Sequence, residues 1–96
     1  MKRSNTQPLK EVIHEYIEAL KLSQKLHEVS LISSWERVVG RTIARATKDI
    51  YIKDRKLFVI LNSSVIRSEL SMIKIPLAER LNQEVGADVI DELVLL

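Results

Sequence analysis

The chain has 96 residues, 46% of them hydrophobic, with four aromatics, two glycines, no cysteine and a formal net charge of +2. This length suits one domain with a single modest core. So few glycines and aromatics exclude a sandwich or barrel of many tight turns, and the absence of cysteine excludes disulfides and thiolate metal sites. The small net charge conceals a split: residues 1–56 hold 12 Lys/Arg against 7 Asp/Glu, and residues 57–96 hold 3 against 6. One basic face for an acidic partner such as nucleic acid is the reading this invites; a solvated surface with scattered charge is the plain alternative.

Residues 1–7 are basic and polar and read as a flexible N-terminus, with no apolar signal core behind them, so a cytoplasmic protein is expected. No apolar run approaches the roughly 20 residues that span a bilayer. Leu9, Val12, Ile13, Tyr16, Ile17 and Leu20 then recur at helical spacing, with Thr6 as cap and Pro8 near the first turn, which predicts a helix over 8–22. Leu26, Val29, Ile32, Trp35, Val38, Val39, Ile43 and Ala46 continue the period behind Ser23, predicting a second helix over 24–46. Gly40 falls inside it at a cost of about 1 kcal/mol against alanine, so a neighbouring element is expected to cross there.

The period changes to two at Ile50 and Ile52, which alternate with Tyr51 and Lys53, and again at Leu57, Val59 and Leu61, which alternate with Phe58, Ile60 and Asn62. Lys53-Asp54-Arg55-Lys56 joins the two runs, so an antiparallel hairpin is expected although no Asn-Gly or Asp-Gly pair marks it. Ser63 or Ser64 caps a third helix with Val65, Ile66, Leu70 and Ile73 inward. Pro76 interrupts it and admits a fourth over Leu77 to Val85, which Gly86 terminates. Val89 to Leu96 has the content of a last strand. The order is one helix and then αββααβ, and residues 8–96 read as a single α+β domain whose three-stranded sheet packs on helices.

Trp35-x-x-Val38-Val39-Gly40-x-x-Ile43-Ala44-x-x-Thr47, with Leu57-x-Val59, Ser63-Ser64 and Glu69-Leu70 beyond it, resembles the DciA family of bacterial replication proteins. The likeness covers roughly residues 24–95. It implies a K-homology-like fold of the type II order, the replicative DNA helicase and DNA as partners, and a part in loading that helicase. K-homology domains that clamp RNA use a Gly-x-x-Gly loop between two helices. Here that junction reads Ile73-Lys74-Ile75-Pro76, and Ile66 stands where relatives often have an aromatic.

Arg37, Arg41 and Arg45 at i, i+4 and i+8 would stack along one face of a continuous helix at about 6 Å per step. Lys48 extends that stripe, and Lys53, Arg55 and Lys56 add the hairpin loop, giving seven cations to follow a phosphate backbone, single-stranded DNA above all. A solvated face paired with Glu36 and Asp49 is the competing account. Trp35, with Val38, Val39 and Gly40, falls on the apolar stripe as a core anchor; a base-stacking platform or partner hot spot is its alternative. His14 and His27 lack metal-ligand spacing, the serine pairs lack a base, and two glycines cannot form a phosphate loop, so neither an enzyme nor a cofactor is expected. Asp88, Asp91 and Glu92 read as charges guarding a strand edge. Weak self-association and an RNA-binding or ribosome-associated module stay open, the latter as the alternative function.

Overall fold

The computed structural model describes residues 6–96, with side chains from residue 8 onward. The expectations placed on residues 1–7, a flexible terminus and a capping Thr6, lie outside the described side chains. In chain order the elements are α1 (Thr6–Ser33), α2 (Trp35–Val39), α3 (Arg41–Arg45), β1 (Thr47–Lys53), β2 (Lys56–Leu61), α4 (Ser64–Ser71), α5 (Lys74–Val85) and β3 (Glu92–Leu95). The sheet runs β1-β2-β3, with β1 antiparallel and β3 parallel to the central β2. A long N-terminal helix followed by the αββααβ order and a three-stranded sheet on helices is the α+β architecture expected from the pattern.

The first two helices are not divided as the periodicity suggested. Nothing at Leu22-Ser23-Gln24 obliges a helix to stop, and α1 continues through it to Ser33. The bend comes at buried Ser34, whose N–H bonds to the carbonyls of Ser30 and Leu31 at 3.1 Å each and whose Oγ donates to Leu31 O at 2.7 Å. A hydroxyl that bonds back into the preceding turn bends a helix. The second break is Gly40, at φ 94° and ψ 167°. No neighbour crosses it: a Cβ placed there would meet nothing within 4 Å. Glycine is required for its backbone conformation, not for a close approach.

Two further boundaries shift. α4 ends at Ser71 and α5 begins at Lys74, so Pro76 sits in the first turn of α5, where no N–H is needed. The last strand is only Glu92–Leu95; Val89 and Ile90 are buried in the loop before it. Asn82 holds that loop, accepting from the N–H groups of Val89 (3.0 Å) and Ile90 (3.1 Å) and donating to Ile90 O (2.9 Å). Ser63 caps α4 through Ile66 N–H, and Gly86 ends α5 at φ 80°, as the sequence suggests.

One face of the sheet carries the core. Leu57, Val59, Leu61 and Leu93 point to Leu31, Trp35, Leu70, Leu77 and Leu81 on the helices. The strand alternation puts Tyr51, Phe58, Ile60 and Val94 on the other face, outside that cluster. The molecule measures 68 × 21 × 20 Å because α1 runs well past the domain.

Candidate nucleic-acid interface

The hairpin turns through Asp54 (φ 51°) and Arg55 (φ 61°), two successive left-handed residues without a glycine. Positive φ at both centres of a two-residue loop is the requirement of a type I′ turn, whose twist matches that of the strands. Arg55 secures it. Its Nη2 and Nε reach Asp91 Oδ1 at 2.9 and 3.1 Å, Nη1 donates to Asp88 O at 3.1 Å, and its carbonyl accepts from Asp91 N–H at 2.7 Å. The guanidinium therefore ties the hairpin tip to the loop entering β3. Its hydrogen bond to Asp91 holds that carboxyl below the ordinary aspartate range against the opposing effect of burial, and raises Arg55's own pKa.

Flanking the turn, Lys53 and Lys56 face each other across the strands. Like charges directly opposite are locally destabilising. Two positions along, Tyr51 and Phe58 pair on the outer face of the sheet with ring centroids 5.0 Å apart and planes 10° from parallel. Tyr51 is exposed and Phe58 half-buried. The sequence marked both only as alternating strand positions; their pairing depends on a strand register that no single run discloses.

Arg37, Arg41 and Arg45 do not form the single helical stripe expected of them, because Gly40 separates α2 from α3. Arg37 is engaged elsewhere, its Nε donating to Glu84 Oε1 at 2.8 Å, and Arg80 lies 3.5 Å from the same carboxylate. Pairing with Glu36 or Asp49 is not what occurs. The Arg37 hydrogen bond keeps Glu84 below the ordinary glutamate range despite partial desolvation. Arg41, Arg45 and Lys48 are exposed and, among the described residues, form no ion pair. Lys48 is the extra residue of a bulge between Thr47 and Asp49. This group sits where β1 begins, and Lys53, Arg55 and Lys56 sit where it ends, roughly 17 Å away over five strand residues. Six of the seven cations thus stand at the two ends of β1, with the Tyr51–Phe58 pair between them, and Arg37 is held against α5 instead.

Trp35 is buried, and its Nε1–H donates to Thr47 Oγ1 at 3.0 Å while that hydroxyl donates to Ile43 O at 2.9 Å. Val38 and Val39 are half-buried against the core. The Trp-x-x-Val-Val-Gly run accordingly docks α2, turns the chain at Gly40 and ties α3 to the start of β1. Between α5 and β3 lies a groove of about 340 Å³ lined by Lys74, Ile75, Ala78 and Leu93 and by four carboxylates, Glu79, Asp88, Asp91 and Glu92. It follows the helix junction where a Gly-x-x-Gly clamp would stand, and its charge opposes phosphate. Among the described residues no group of three or more His, Cys, Asp or Glu is arranged to hold a metal, and no helix is long and apolar enough to cross a membrane.

Residues 8–95 match the family described as DnaC/DnaI antecedent, DciA. The chain belongs to the DciA family. It is also 36% identical over 61 residues to a UPF0232 protein of Corynebacterium glutamicum (strain R), a match covering 64% of this chain and 34% of that relative, so the chain spans about a third of the relative's length. Within this DciA-family chain, the residues that first suggested the family are its structural hinge, while the candidate contacts for nucleic acid lie on the hairpin and at its base.

Proposed function

We propose that this protein is a replication accessory factor that binds the replicative helicase and holds single-stranded DNA across the open face of the β1–β2 hairpin, helping the helicase engage it. The observation that carries the reading is membership of the DciA family over residues 8–95. The hairpin supports the DNA contact: unpaired cations stand at both ends, and a stacked aromatic pair lies between them. Cations track phosphates and aromatic faces take bases in sequence-tolerant binding of single strands. The opposed Lys53 and Lys56 cost local stability and, among the described residues, form no ion pair that relieves them; a phosphate between them would. Arg41, Arg45 and Lys48 supply the second anchor, whereas Arg37 and Arg55 hold the fold together. An RNA clamp of the K-homology kind finds no support in an acidic groove at the clamp's position.

Titrating a fluorescent single-stranded oligonucleotide across a salt series tests the DNA contact. Lys53→Ala with Lys56→Ala should reduce the slope of log affinity on log salt by about 1.4, at roughly 0.7 per phosphate neutralised on a single strand. Tyr51→Ala should instead lower affinity by about 1–3 kcal/mol at unchanged slope. Wild-type affinity and slope in both variants would exclude the hairpin. Co-elution with the host's replicative helicase on size exclusion tests the partner, and failure to co-elute at micromolar concentrations would remove it.

A further inference from the structure

Helix α1 leaves an apolar face uncovered. Leu9, Val12, Ile13, Tyr16, Ile17 and Leu20 line one side of it, each between 43% and 66% exposed. From residue 8 to residue 20 every described side chain of α1 is exposed, and a helical segment of that length is marginal in water without packing. On the helical wheel the same side carries Leu31, which is fully buried in the domain, so the stripe is the outward continuation of the face by which α1 docks.

We propose that this face is a self-association surface on which two copies of the chain pack their α1 helices antiparallel, Leu9 against Leu20, Val12 against Ile17 and Ile13 against Tyr16. The stripe selects this occupant in three ways. Its spacing is the same read in either direction, so one antiparallel register matches each of the six stripe residues with another of the six, while the exposed Leu22, Leu26 and Val29 lie on the opposite side of the helix. Glu11, Glu15 and Glu18 lie on the far side of the helix, so no like-charged pair enters the seam. Six side chains at on the order of 100 Å² each give roughly 1,200 Å² over two copies, the lower bound of a stable specific interface. Such a dimer carries two hairpin faces on one particle, and binding of one strand by both gains from effective concentration. The inference rests on α1 alone and does not depend on the proposed function.

Sedimentation equilibrium of the full chain should give a mass twice 11.0 kDa at micromolar concentration. Ile13→Glu, at an exposed site that leaves the domain core intact, should weaken association at least a hundredfold with unchanged helical circular dichroism. The chain has no cysteine, so register can be read directly: mixed Leu9→Cys and Leu20→Cys variants should oxidise to a covalent dimer, while neither does so alone. A wild-type chain that stays monomeric to about 1 mM, a dimer indifferent to Ile13→Glu, or a Leu9→Cys homodimer would each overturn the proposal. A monomer in which Ile13→Glu instead abolishes helicase co-elution would also overturn it, assigning the face to the helicase.

Discussion

Replacing Gly40 by alanine separates the sequence's account of this region from that of the structure by the sign of a single number. In a continuous helix over 24–46, Gly40→Ala would stabilise the protein by about 1 kcal/mol, the ordinary difference in helix propensity. In the structure Gly40 holds φ 94° and ψ 167°, a region that is essentially closed to side-chain-bearing residues and costs about 1–3 kcal/mol to occupy. Because an added Cβ meets nothing within 4 Å, no packing change adds to or offsets that backbone strain. The expected loss is therefore about 2 kcal/mol. With a urea m-value of about 1–1.5 kcal/mol/M for a chain of this size, the midpoint should fall by roughly 1.5 M. Asparagine tolerates the left-handed helical region but not a ψ near 167°, so Gly40→Asn should give no rescue. A midpoint that rises with alanine, or an asparagine variant as stable as wild type, would refute the break between α2 and α3 and restore the unbroken arginine stripe.

Asn82→Ala strips the loop before β3 of four side-chain hydrogen bonds, the longest of them to Asp88, and leaves the N–H groups of Val89 and Ile90 unpaired beside the core; a loss on the order of 3 kcal/mol is expected in urea unfolding. Trp35→Phe keeps an aromatic in the core but removes the bond to Thr47 Oγ1, and should cost about 1–2 kcal/mol by the same measurement, whereas Trp35→Ala should cost about 3–5 kcal/mol. Glu84 and Asp91 both titrate below their ordinary ranges when folded. The stability they contribute is present above the unfolded-state pKa values and is lost as pH falls through the lower folded ones, below about pH 4. Replacing Arg37 with methionine should return the Glu84 titration, followed by NMR, towards the ordinary glutamate range.

Much of the fold is legible in the sequence because its elements are locally specified. The period of two from Ile50 to Leu61 marks the hairpin, Ser63 and Gly86 mark helix ends through their own hydrogen-bonding and conformational preferences, and the αββααβ order follows from them. The apolar stripe of α1 is equally plain, since it is a matter of spacing alone. The absence of cysteine had already left the core to apolar packing alone.

The candidate site was less legible, for reasons specific to its residues. Arg37, Arg41 and Arg45 share a helix face only if Gly40 is helical, and glycine's neutrality between left- and right-handed regions leaves that to the surrounding packing. The ion pairs that occupy Arg37 and Arg55 bring together residues 47 and 36 positions apart in the chain, which no local pattern encodes. The stacking of Tyr51 on Phe58 required the strand register, and the acidic groove required α5 to lie beside the lead-in to β3. Helical and strand periods are short-range properties of the chain, so the sequence determined the elements and their apolar faces. Which charges stay unpaired, and which side chains meet across strands, are long-range consequences of how those faces close on one another, and only the tertiary structure decided them.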